Sequence, residues 1–190
     1  MKNASVSILR LVGTAVVLFL LSSSADARVK RQKRQATISS NCYSPNGGDC
    51  YWYRDCLEKR VPCQGTPDDY AIAYAEKFCN LYGSNYNRFS SQGKQWVNAV
   101  RKCLQVALVP LLRAAPPCRQ IKSTAFNSHF PCYMTPGGGA LGVCDLPVSD
   151  ILVIQDIISS AWVSESRESL KGAALVTGGC TFHHFPTWVK

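Results

Sequence analysis

Ten cysteines between residues 42 and 180 constrain this 190-residue chain more than any other feature. They are Cys42, Cys50, Cys56, Cys63, Cys79, Cys103, Cys118, Cys132, Cys144 and Cys180. All follow a segment with the pattern of a secretion signal, and their number is even. In an oxidising compartment such a set reads as a disulfide framework rather than as catalysis or metal chemistry. Ten cysteines admit many pairings, and sequence alone does not choose among them.

The signal covers residues 1–27. Lys2 and Arg10 precede an apolar stretch from Leu11 to Leu21, interrupted at Gly13 and Thr14, and Ala25-Asp26-Ala27 offers a small-residue cleavage site after Ala27. The apolar stretch is short for a bilayer span, and no other is long enough, so no membrane span is expected. Residues 28–34 then hold two overlapping R-x-K-R tetrads, ending at Arg31 and Arg34. Several basic side chains in that pattern suit the acidic cleft of a proprotein convertase. Directly behind a secretion signal they read as a propeptide with processing sites and not as a nuclear-localisation patch. The mature chain would begin at Gln35, and 35–190 has the length of a single domain.

This processing changes the charge argument. The whole chain has 21 Lys and Arg against 12 Asp and Glu, but residues 35–190 keep only 14 against 11, a net of about +3. The basicity belongs mostly to the segment removed, and no nucleic-acid or membrane-surface footprint is expected of the remainder.

Helical signals dominate the mature chain. Residues 36–48 are polar and glycine-rich, an arm until Cys42 ties it down. Thr66-Pro67-Asp68-Asp69 combines a capping threonine, a first-turn proline and acids against the helix dipole, which predicts a helix from Thr66 to Gly83. Trp96, Val97, Val100, Cys103, Leu104, Ala107, Leu108, Leu111 and Leu112 form one apolar stripe over 91–114, with Pro110 expected to kink or divide the helix. Further helices are expected over 117–128, from near Pro147-Val148-Ser149-Asp150 with Ile151, Ile154, Ile158 and Trp162 at helical spacing, and over 165–177, although Ile151-Leu152-Val153-Ile154 is also strand-prone. Gly137-Gly138-Gly139 lies in a loop with no phosphate-binding context. The fold class is all-α: one compact bundle of about five helices cross-linked by five disulfides.

The cysteine order and the sequence around it resemble the stanniocalcin family of secreted polypeptide hormones. The features that carry the resemblance are Cys56-Leu57-Glu58 seven residues before Cys63, a Tyr-containing helix with Cys79, and Phe89-Ser90-Ser91-Gln92-Gly93-Lys94 leading through Val97 to Lys102-Cys103. Cys118, Cys132-Tyr133, Cys144 and Cys180 continue the order, so that 42–180 is covered. The resemblance implies the pairs Cys42–Cys56, Cys50–Cys79, Cys63–Cys118, Cys103–Cys132 and Cys144–Cys180, an extracellular receptor or protein partner, and a hormone-like role in calcium and phosphate balance. Several departures are visible. Segments 63–79 and 132–144 are longer, Lys59-Arg60-Val61-Pro62 lacks the Asn-linked glycan site usual after Cys-Leu-Glu, and no eleventh cysteine follows Cys180. A monomer or non-covalent dimer is therefore expected.

Catalytic patterns are not prominent. There is no G-x-S-x-G, no His-Asp pair on a helix and no expected free thiol. Asp68-Asp69 and Glu165/Glu168 read as dipole partners at helix starts. His129, His183 and His184 are the histidines, and the adjacent pair would point apart, so neither metal nor cofactor is expected. Tyr51-Trp52-Tyr53 between two cysteines is a partner-binding patch if exposed and core packed on disulfides if buried. The expected function is non-enzymatic extracellular signalling. The alternative is a disulfide-rich defence or toxin-like effector acting on membranes or channels, against which the low charge and the lack of a basic amphipathic helix argue.

Overall fold

The helical periodicity is realised in five helices, with no strand among the described residues. The structure is a computed structural model that describes residues 36–159 and Cys180. The elements below all belong to the unit Thr37–Lys190. The signal and processing sites at Ala27, Arg31 and Arg34, the helix expected over 165–177, Trp162 and the pair His183-His184 lie outside the described residues.

Helix α1 covers 52–60 and is π-wound over Tyr53–Glu58. The sequence reading did not anticipate it, although Tyr53, Cys56 and Leu57 bury one face at helical spacing. Helix α2 runs from Ala71–Glu76 into Lys77–Ser84. The expected start at Thr66 is corrected. The Thr66 hydroxyl donates to the Cys63 carbonyl (2.7 Å) and 63–68 forms turns. Asp69 instead accepts from the Ile72 and Ala73 amides (3.2 Å each), so the helix begins beyond it.

Helix α3, Ser91–Ala114, is the longest. Ser90 caps it, its hydroxyl accepting from the Gly93 amide (3.1 Å). Trp96, Val97, Val100, Leu108, Leu111 and Leu112 bury the expected stripe. Pro110 does not divide the helix. It lies exposed on the solvent face, as does Val106, whose carbonyl it leaves without a helical donor. Ala115 closes the helix in the left-handed conformation (φ 43°), ahead of Pro116-Pro117. Helix α4, Cys118–Met134, packs along α3 and extends past the expected end at Ser128. Helix α5, Val148–Ser159, keeps Ile151 and Ile158 half-buried and buries Ile154.

All ten cysteines are paired, and the pairs are those the resemblance implied. Cys42–Cys56 ties the short turn Ser40–Tyr43 to α1, and Cys50–Cys79 ties the entry of α1 to α2. Cys63–Cys118 joins the segment after α1 to the start of α4, and Cys103–Cys132 clamps α3 to α4. Cys144–Cys180 closes the last loop. The expected arm is also corrected from Ser40 on. Cys42 is buried, and Gly47 (φ 82°) lies so close to α3 that a Cβ there would come 2.5 Å from the Lys102 amide nitrogen. The fully buried Gln105 holds this loop, accepting from the Gly47 amide (3.1 Å) and donating to the Asp49 carbonyl (2.8 Å).

Candidate functional site

The interior where α1, α2, α3 and α4 meet is built largely from aromatic side chains. Tyr70 and Tyr74 of the α2 start stack at 5.7 Å, and Phe126 of α4 meets both edge-on. His129, one helical turn further along α4, lies flat against Tyr133 (5.8 Å, interplanar angle 7°) and takes part in a hydrogen bond of 3.1 Å between its Nε2 and the Tyr70 hydroxyl. Trp96 fills the centre at 0% exposure and donates its indole N–H to the Tyr133 carbonyl (3.2 Å). Burial pulls His129 down to about 4, so the ring is neutral at physiological pH. Burial also pushes the Tyr53, Tyr70 and Tyr82 phenols up, which keeps them protonated.

These rings do not close completely. A void of about 30 Å³ remains among Tyr53, Tyr70, Tyr82, Trp96, Arg101 and His129, enough for about two water molecules. The buried Tyr82 hydroxyl faces that of Tyr133 without a well-formed hydrogen bond. Arg101 enters from α3 and is partly buried. Its Nη2 donates to the Gly48 carbonyl (2.8 Å) and the Cys50 sulfur (3.0 Å), and its Nε to the Cys79 sulfur (3.3 Å). No carboxylate among the described residues forms an ion pair with it. Burial lowers its pKa, with the neighbouring Tyr53 and Tyr86 opposing.

The aromatic triplet splits. Trp52 and Tyr53 are core, at 4% and 3% exposure, and the Trp52 indole donates to the Cys42 carbonyl (3.0 Å). Tyr51 alone faces outward, at 61%, with the Arg54 guanidinium 6.0 Å from its ring centre. The three-residue partner patch is corrected to one residue, because successive helical side chains point in different directions and only one of these points away from the core. Arg54 in turn holds the buried Glu76 through both carboxylate oxygens (2.5 and 3.1 Å).

No family model, curated protein or solved structure matches this chain.

Among the described residues no group of three or more His, Cys, Asp or Glu is placed to hold a metal ion. Asp69 is engaged by backbone amides at the start of α2, and His129 sits in the aromatic interior rather than on the surface. Sequence reading missed Arg101 and Asp150. Arg101 lies in the stretch Val100-Arg101-Lys102, where a cation reads as solvated surface. Its position one helical turn from Val97 and Leu104 was the available signal.

Proposed function

We propose that this chain is a secreted regulatory protein of stanniocalcin type, which acts by binding an extracellular protein partner and takes part in calcium and phosphate balance. One observation supports the reading most: ten cysteines close into five bridges, in the order the resemblance implies, within one helical domain. A framework of this kind suits a protein that must persist in an oxidising exterior. None of the described helices is long and apolar enough to cross a membrane. The apolar face of α3 is committed to the core, which argues for action through the surface and against membrane disruption. Exposed Tyr51 and its neighbour Arg54 are of the residue types that anchor protein interfaces.

The test is a binding measurement. The full chain, expressed in a secretory host, is recovered from the medium, labelled, and titrated onto cultured cells with unlabelled protein as competitor. Saturable, competable binding that a Tyr51→Ala/Arg54→Ala variant weakens about tenfold is expected. Non-saturable binding would remove the reading, and leakage of anionic vesicles would favour the effector alternative.

A further inference from the structure

We infer that the Cys50–Cys79 bridge is a reductive cleavage site for a dithiol, and that Arg101 sets its reactivity. The bridge differs from its neighbour Cys42–Cys56, which ends on α1. Both bridges are buried, Cys42–Cys56 somewhat more deeply, with its cysteines 2% and 5% exposed against 8% and 6% for Cys50 and Cys79, yet no cation touches the Cys42 and Cys56 sulfurs among the described residues. At Cys50–Cys79 one guanidinium spans both sulfurs, at 3.0 and 3.3 Å.

A cation beside a sulfur favours the thiolate over the thiol, and a thiol of lower pKa leaves faster in disulfide exchange. Cys50 gains a second such influence. It stands at the entry of α1, where its carbonyl accepts from the Tyr53 amide (3.3 Å) and the helix presents its positive end. The nearest carboxylate in sequence, Asp49, spends an oxygen on the Tyr51 amide (2.9 Å). Arg101 has no carboxylate partner among the described residues, so its charge is available to a developing thiolate. The sulfur attacked is therefore that of Cys79, and the leaving sulfur is that of Cys50.

In the first step a thiolate of the reductant forms a bond to the Cys79 sulfur as the Cys50–Cys79 bond breaks, and the electron pair leaves on Cys50 opposite Arg101. The second thiol of the reductant, on losing its proton, attacks the reductant's own sulfur in the mixed disulfide and releases Cys79, which takes a proton. The dithiol is oxidised by two electrons to a disulfide. The bridge is reduced to one thiol and one thiolate, and the remaining proton passes to solvent. Covalently this frees the loop 46–50 from α2 and leaves the other four bridges in place.

The experiment uses the secreted full-length protein, dithiothreitol as the dithiol at pH 7, timed quenching by alkylation, and peptide mass spectrometry. Cys42–Cys56 in the same molecule serves as the clock. In the wild type Cys50–Cys79 is expected to open about tenfold faster than Cys42–Cys56. Arg101→Gln should bring the two rates within about twofold, and Arg101→Lys, which keeps a charge, should retain part of the difference. Equal rates in the wild type overturn the inference, as does a ratio that Arg101→Gln leaves unchanged. Should Arg101→Gln fail to be secreted folded, the wild-type ratio together with Arg101→Lys decides.

Discussion

The Asp150 carboxylate is fully buried, and Ser90 meets both of its oxygens, the amide at 2.8 Å and the hydroxyl at 2.5 Å. The same hydroxyl caps α3 through the Gly93 amide. Gly93 carries no side chain because Asp150 occupies the space: a Cβ there would lie 2.5 Å from its carboxylate. The Gln92-Gly93-Lys94 segment is thus the seat on which the first turn of α5 docks. The sequence showed Gly93 as part of a motif without showing its reason, since its partner lies far along the chain. Asp150→Ala should cost about 3 kcal/mol, from the loss of charged hydrogen bonds and a buried amide left unpaired. Gly93→Ala gains about 1 kcal/mol of helix propensity but disturbs those bonds, so a net loss of about 1–2 kcal/mol is expected. Denaturant titration of the two single variants and the double variant, with bridges intact, checks both. The double should cost less than the sum, because the two changes disrupt the same contact.

At the level of elements, the apolar stripe and the Pro116-Pro117 stop bounded α3 at about Ser91 and Ala114, as found, and α5 begins at Val148, within the expected start over Pro147 to Asp150. The start of α2 was misplaced because Thr66-Pro67-Asp68-Asp69 contains three residues able to cap a helix, and only the tertiary turn after Cys63 selects Asp69. Helix α1 was missed because it is short and its periodicity is carried by cysteines and aromatics, which the disulfide framework already explained. The packing of α2 on α4 through Tyr70, Tyr74, Phe126 and His129 carries a pH dependence of definite sign. The folded pKa of His129, about 4, lies below its unfolded value near 6.5, so the unfolded chain binds more protons between them. Its contribution is present in full above about pH 6.5 and is lost as pH falls toward 4, on the order of 3 kcal/mol in total. His129→Phe should flatten that part of the stability–pH curve relative to the wild type. An unchanged slope would place the acid sensitivity in the carboxylates instead.

For the molecule as a whole, the all-α class and the count of bridges were legible from composition and periodicity. The packing of residues 40–48 against α3 was not, because polar and glycine-rich sequence looks the same in a free arm and in a loop held by Gln105 and Gly47. The bridges close loops of different length, with sequence separations of 14 for Cys42–Cys56 and 55 for Cys63–Cys118. In the chain-entropy picture, removing the second pair by Cys63→Ala/Cys118→Ala should cost about 1 kcal/mol more than Cys42→Ala/Cys56→Ala. Melting temperatures of the two double variants test this, and the reverse order would mean that local packing outweighs loop closure.

The first four bridges overlap like links, 42–56 into 50–79, 50–79 into 63–118, and 63–118 into 103–132. A single peptide-bond cut anywhere from Cys42 to Cys132 therefore leaves both pieces covalently joined. Between Cys132 and Cys144 no bridge crosses, and there the exposed run Gly137-Gly138-Gly139 lies open to a protease. One nick in that run would leave α5 held to the rest only by non-covalent contacts such as Asp150 on Ser90. On a denaturing gel without reductant the nicked protein would separate into two bands, whereas a nick anywhere from Cys42 to Cys132 would leave one.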